Sequence, residues 1–197
     1  MEKSLARYKT SESNPLELSY PMEFLQDKIF CSALIEDLEA FSDGWERIQN
    51  LSSNSSALIP DRKGVYMFVW RPSIEFKLHN ESYNFRFVVY VGAASKGESS
   101  ILSRFNSDYK SLINKKPSVH WTENNPHDRE SRLRKVLNLW DLEYWYATMD
   151  NASSEQILDI EKRLINVFNP PGNKSFKQQI RAKIDIQKKT PAFEPAF

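Results

Sequence analysis

The chain has 197 residues, 40% hydrophobic and 13% aromatic, which suits one sizeable core with a small appendage and excludes a disordered polymer. Its single cysteine, Cys31, excludes an internal disulfide and a cysteine-based zinc cluster. A net charge of +1 hides an asymmetry: residues 1–60 hold 5 basic against 10 acidic side chains, whereas residues 162–189 hold 8 basic against Asp185 alone. A basic end of that kind is compatible with a polyanionic partner, and equally with a solvated tail.

Residues 1–20 are polar and read as an irregular arm without a signal-peptide core, so the expectation is a cytoplasmic protein with no membrane partner. Over 22–41 the apolar positions Phe24, Leu25, Ile29, Phe30, Ala33, Leu34, Leu38 and Phe41 recur at helical spacing. Gly44 stops that helix, and 45–51 predicts another helical turn or two. The Ser- and Asn-rich stretch 52–56 reads as a linker. We therefore expect an N-terminal arm and helical extension over 1–60, a core over 61–176 and a basic C-terminal segment over 177–197.

After Pro60 the pattern changes. GVYMFVW (64–70) and FRFVVYV (85–91) are short, β-branched and aromatic, and predict strands covered on both faces, with Gly92 ending the second. The intervening 71–84 predicts a loop. A helix follows over 99–113, with Ile101, Leu102, Phe105, Tyr109 and Leu112 on one stripe, then a polar loop and a basic helix over 128–139. LEYWYAT (142–148) predicts a third strand. Ser153, with Gln156 three residues on, predicts a capping box opening a last helix that ends before Pro170-Pro171-Gly172. The expected fold is α+β: a small three-stranded, mainly antiparallel sheet flanked by helices.

Glu161 is the most informative residue. It lies four after Ile157 and four before Ile165, inside the apolar stripe of the last helix, where an ionised carboxylate is costly unless paired or bound to a cation. Arg104 borders the stripe of its own helix, and Tyr66 and Tyr90 lie in neighbouring strands. Singly these residues read as ordinary structure.

Their order resembles a known family. Gly64-Val65-Tyr66, Tyr90-Val91-Gly92, Arg104, Glu161 and Asn173 just after Pro-Pro-Gly is similar to the pattern of the GIY-YIG nucleases, over about residues 62–175. The resemblance implies hydrolysis of DNA phosphodiester bonds with one divalent ion, Mg²⁺ or Mn²⁺. It implies Glu161 as metal ligand, Arg104 as phosphate-contacting cation, Tyr66 and Tyr90 beside the scissile phosphate, and Asn173 ordering the site. One carboxylate with neutral oxygens suits a hard ion that keeps several waters.

Two departures stand out. Tyr66 and Tyr90 are 24 residues apart, a longer spacing than in compact members and similar to the inserted loop of some restriction enzymes. Four residues after the arginine, where many members carry His or Tyr, stands Asp108, with Tyr109 one later; either the helix shifts locally or another residue takes that role. Lys96, Arg132, Lys174 and Lys177 are candidate nucleic-acid contacts. The expected partner is double-stranded DNA, cut by a homodimeric restriction endonuclease. The alternatives are a structure-directed repair or mobile-element nuclease and a non-cleaving nucleic-acid-binding module.

Overall fold

The computed structural model describes residues 18, 20–79, 81–97, 99–113 and 128–173. Its centre is a four-stranded antiparallel sheet in the order β1-β6-β2-β5, formed by β1 (Glu46–Ile48), β2 (Gly64–Trp70), β5 (Phe87–Ala94) and β6 (Leu142–Thr148). The α+β class and antiparallel sheet match expectation; the strand count does not. Residues 46–48, expected to be helical, pair with 144–146 instead, so the segment set apart as an extension supplies a strand to the same sheet. Isolated propensity lost here to an open sheet edge.

Strand alternation divides the core in two. On one face Tyr66 and Phe68 of β2, Tyr90 of β5 and Tyr144 and Tyr146 of β6 are buried. Over them pack α3 (Ile101–Arg104), the turn Phe105–Tyr109 that continues it, and α4 (Arg129–Leu137). On the other face Val65, Met67, Val91 and Ala147 meet Ile157, Ile160, Leu164 and Ile165 of α5 (Ser154–Phe168) and Leu34 of α2 (Lys28–Phe41). Each large side chain buried in this way stabilises by about 1.5–3 kcal/mol. Covering both faces explains why β2 and β5 are nearly continuous in apolar character.

The helix starts follow local chemistry. Ser153 and Gln156 form the expected capping box on α5; Ser100 and Ser103 do the same for α3; Asp128 caps α4. The helix expected over 22–41 is split into α1 (Met22–Gln26) and α2 because Asp27 accepts from the Ile29 and Phe30 amides and restarts it. The expected loop 71–84 contains a hairpin, β3 (Glu75–Leu78) paired with β4 (Glu81–Asn84), turned at His79 with φ 55°. Nor does Gly92 end β5, which runs on to Ala94.

Both motif glycines have steric reasons. Gly64 has φ +153°, and a Cβ there would stand 2.1 Å from the Ala147 carbonyl oxygen. Gly92 is the cross-strand partner of Tyr66, whose ring lies across it; a Cβ would meet that ring at 2.6 Å.

Candidate active site

Three phenol oxygens meet above the centre of the sheet. The hydroxyls of Tyr66 and Tyr109 lie 2.8 Å apart, and that of Tyr109 donates to Tyr90 at 3.2 Å. Tyr66 and Tyr90 arrive from adjacent strands. Tyr109 arrives from the helical segment after α3, by a device that resolves the spacing anomaly of the sequence. The segment Phe105–Tyr109 is a π turn, closed by the Lys110 amide donating to the Phe105 carbonyl at 2.9 Å. One extra residue in the turn carries Tyr109, five after Arg104, onto the face that a regular helix would present four after it.

Asp108, displaced by that turn, faces cations instead. Its Oδ2 lies 3.2 Å from Arg104 Nη1 and 3.4 Å from Arg129 Nη2. Arg129 also donates to the hydroxyls of Tyr90 at 3.4 Å and Tyr109 at 3.5 Å. Thus one carboxylate holds two guanidiniums beside the phenols. Arg104 Nε is buried and has no hydrogen-bond partner among the described residues. Burial pushes the Tyr66 and Tyr109 hydroxyls well above the usual phenol range, so both are neutral donors at neutral pH. The hydroxyl of Tyr144, stacked on Tyr66, is likewise buried without a hydrogen-bond partner among the described residues.

Glu161 reaches the edge of β5 from α5. Burial pushes its carboxyl up to about 7, opposed by the Arg104 guanidinium and by a hydrogen bond from the backbone of Ala93. Among the described residues no cation forms an ion pair with it, and no group of three or more His, Cys, Asp or Glu gathers as a metal cluster. The donor set available to a cation is therefore one half-buried carboxylate, which fits a hard ion that retains waters and takes further oxygens from its substrate.

The outer edge of β5 is occupied along its length. The Gly172 amide donates to the Val89 carbonyl at 2.9 Å. The Asn173 side chain exchanges two bonds with Val91, accepting from its amide at 2.9 Å and donating to its carbonyl at 2.8 Å. Glu161 takes the next outward position at Ala93. Asn173 thus imitates a partner strand, and the turn at Pro170-Pro171-Gly172 brings it there after Asn169 ends α5 in the left-handed region at φ 40°.

Of the sequence-derived candidates, Tyr66, Tyr90 and Tyr109 are in direct contact, and Arg104 acts electrostatically on both Tyr66 and Glu161. Asn173 is held at the β5 edge beside Glu161, its amide fully engaged. Lys96 is exposed in the turn after β5, and Arg132 is half-buried in α4, three residues beyond Arg129. Lys174, Lys177 and the loop containing His120 and Trp121 lie outside the described residues. Arg129, one of several basic residues of α4, and Asp108, which stands where many family members carry His or Tyr, are both at the site. The sequence marks a basic helix over 128–139, but nothing local places its first turn against the tyrosines.

Comparison of the chain with family models, with curated proteins and with solved structures gives no match. Among the described residues no helix is long and apolar enough to cross a membrane.

Proposed function

We propose that the chain is a GIY-YIG-type, metal-dependent DNA endonuclease, acting as a sequence-specific restriction enzyme. The observation that carries the reading is the convergence of Tyr66, Tyr90 and Tyr109 beside Arg104, within whose field stands Glu161, a carboxylate that forms no ion pair among the described residues. Phosphodiester hydrolysis needs a positioned phosphate, compensation of developing negative charge and a path for the nucleophile's proton.

The chain's own groups divide that work. Arg104 and Arg129 present positive charge to a phosphate, and Asp108 keeps both guanidiniums from straying. Tyr66 and Tyr109, held neutral by burial, donate along a chain that ends at Tyr90. Tyr90 accepts from Tyr109 and Arg129, so its own proton is the one left to face a substrate. Glu161 is the residue that would hold Mg²⁺ or Mn²⁺; the ion, when bound, supplies charge stabilisation at the phosphate and the leaving oxygen. Burial that raises the carboxyl to about 7 also makes a cation its natural partner, with a proton released on binding.

The test is cleavage of supercoiled and linear DNA by the wild-type chain and Glu161→Ala with Mg²⁺. Fragments of constant size, lost in the variant, support restriction. Structure-dependent nicking supports a repair or mobile-element role. Binding without cutting under either ion leaves only a nucleic-acid-binding module.

A further inference from the structure

A second charged assembly lies on the opposite face of the sheet from the tyrosines. Glu143 of β6 is only 2% exposed. Its Oε2 accepts from Arg86 Nε at 3.1 Å and from Trp145 Nε1 at 2.9 Å. Its Oε1 lies 3.9 Å from both Arg71 Nε and Arg47 Nη1. One carboxylate can neutralise one guanidinium, so the assembly keeps an excess of two positive charges. The two contacts at 3.9 Å sit at the limit of an ion pair, and each of the three arginine side chains remains about a third exposed. Arg47 also lies over the Trp145 ring, 5.8 Å from its centroid.

The position of these arginines is what gives the excess charge a use. Arg71 directly follows β2 and Arg86 directly precedes β5, so together they form the root of the β3–β4 hairpin. That hairpin carries aromatic side chains that no core element covers: Phe76, Tyr83 and Phe85 are each at least half exposed. The rings form a continuous series from Trp70, which packs against the core on the tyrosine face, to Phe87, then Phe85, then Phe76, with centroids 5.2–6.1 Å apart. Guanidiniums held in a fixed array with an excess of positive charge match the phosphates of a duplex backbone.

We propose that Arg47, Arg71 and Arg86, gathered by Glu143 at the root of the aromatic hairpin, form a second DNA-contacting surface on the sheet face opposite the tyrosines. Glu143 acts as the positioning residue, spacing the three guanidiniums. The proposal rests on the reading of the chain as a DNA-binding nuclease and adds where, beyond the cleavage centre, the duplex is gripped.

The experiment is fluorescence anisotropy with a fluorescein-labelled DNA duplex, using the full chain in EDTA so that binding is read without cutting. Arg47→Gln/Arg71→Gln is expected to weaken binding about tenfold and to reduce the salt-dependence slope by roughly two. Lysines at the same two positions keep the slope, which separates lost phosphate contacts from a damaged fold. Phe76→Ser/Tyr83→Ser, which removes exposed rings of the hairpin and no charge, is expected to leave the slope unchanged. Unaltered affinity and slope in the glutamine variant overturn the proposal, as does failure of the wild-type chain to bind duplex. A hairpin variant that changes oligomeric state by light scattering, while binding DNA as before, makes this face a contact between copies and also overturns it. Duplex bound through these arginines but never cut refutes the nuclease reading alone.

Discussion

The hydroxyl of Tyr109 stands 2.8 Å from that of Tyr66, and a single extra residue in the turn between Arg104 and Lys110 puts it there. The turn absorbs the extra residue and sets Tyr109 on the face that a regular helix would present four residues after Arg104. The pair is buried and shares its neighbours, so the two phenols act as one unit. Tyr66→Phe and Tyr109→Phe are each expected to lower DNA cleavage by about 10²-fold, and the double variant by little more than either, as for groups that work together. Single-turnover cleavage rates measure this. Losses that multiply contradict a shared role.

The π turn itself can be tested by subtraction. Deleting Ser107 leaves Arg104 and the tyrosine four residues apart, the separation a regular helix needs to bring them to one face. The deletion variant is expected to fold and to retain measurable cleavage, whereas deletion of a residue within α5 destroys both. Circular dichroism and the plasmid assay read the two effects. An unfolded Ser107 deletion means the turn is not a simple one-residue insertion.

Glu161 sets a pH dependence whose sign follows from its folded-state value of about 7, above the ordinary 4.5. The fold favours the neutral form, so the stability this group contributes is complete below about 4.5 and lost as pH rises through about 7. Glu161→Gln removes that loss. It is expected to melt like the wild type near pH 5 and to be more stable by about 1–3 kcal/mol above pH 8. Mg²⁺ raises the wild-type melting temperature at the higher pH and leaves the variant unchanged. Identical pH–stability curves for the two proteins count against a carboxylate destabilised by burial.

Asn173 bonds β5 rather than facing the phenols, so its loss is expected to act through the strand edge. Asn173→Ala abandons both Val91 groups and is expected to cost about 1–3 kcal/mol, read by chemical denaturation. Asn173→Asp keeps the acceptor but sets a carboxylate oxygen against the Val91 carbonyl, and should be no better. A stable Asn173→Ala chain lacking only cleavage activity would assign the residue a direct role at the phosphate instead.

What the sequence made legible was whatever local pattern controls. β-Branched and aromatic content marked β2, β5 and β6; Ser153 with Gln156 marked the start of α5; the misplaced carboxylate marked Glu161. What it hid depends on partners distant in sequence. Residues 46–48 have no strong strand pattern and become a strand because the edge of β6 is free to pair. The hairpin in 71–84 has no Asn-Gly or Asp-Gly turn and bends at His79. Arg129 reads as one basic helix residue among several until α4 sets its first turn against Tyr90 and Tyr109. Glu143 looks like the polar position of a half-exposed strand, yet it is buried under three arginines.

The central claim, that Tyr66, Tyr90, Tyr109 and Arg104 beside Glu161 form a phosphodiester-cleaving centre, is tested most directly by single-turnover cleavage of a DNA substrate with Mg²⁺, comparing the wild-type chain with Glu161→Gln at a pH where both are folded. The account predicts Mg²⁺-dependent cutting by the wild type and a loss of about 10³-fold or more in the variant, with duplex binding retained. Equal cutting by both proteins, or none by the wild type under Mg²⁺ or Mn²⁺ while it binds DNA, would contradict it.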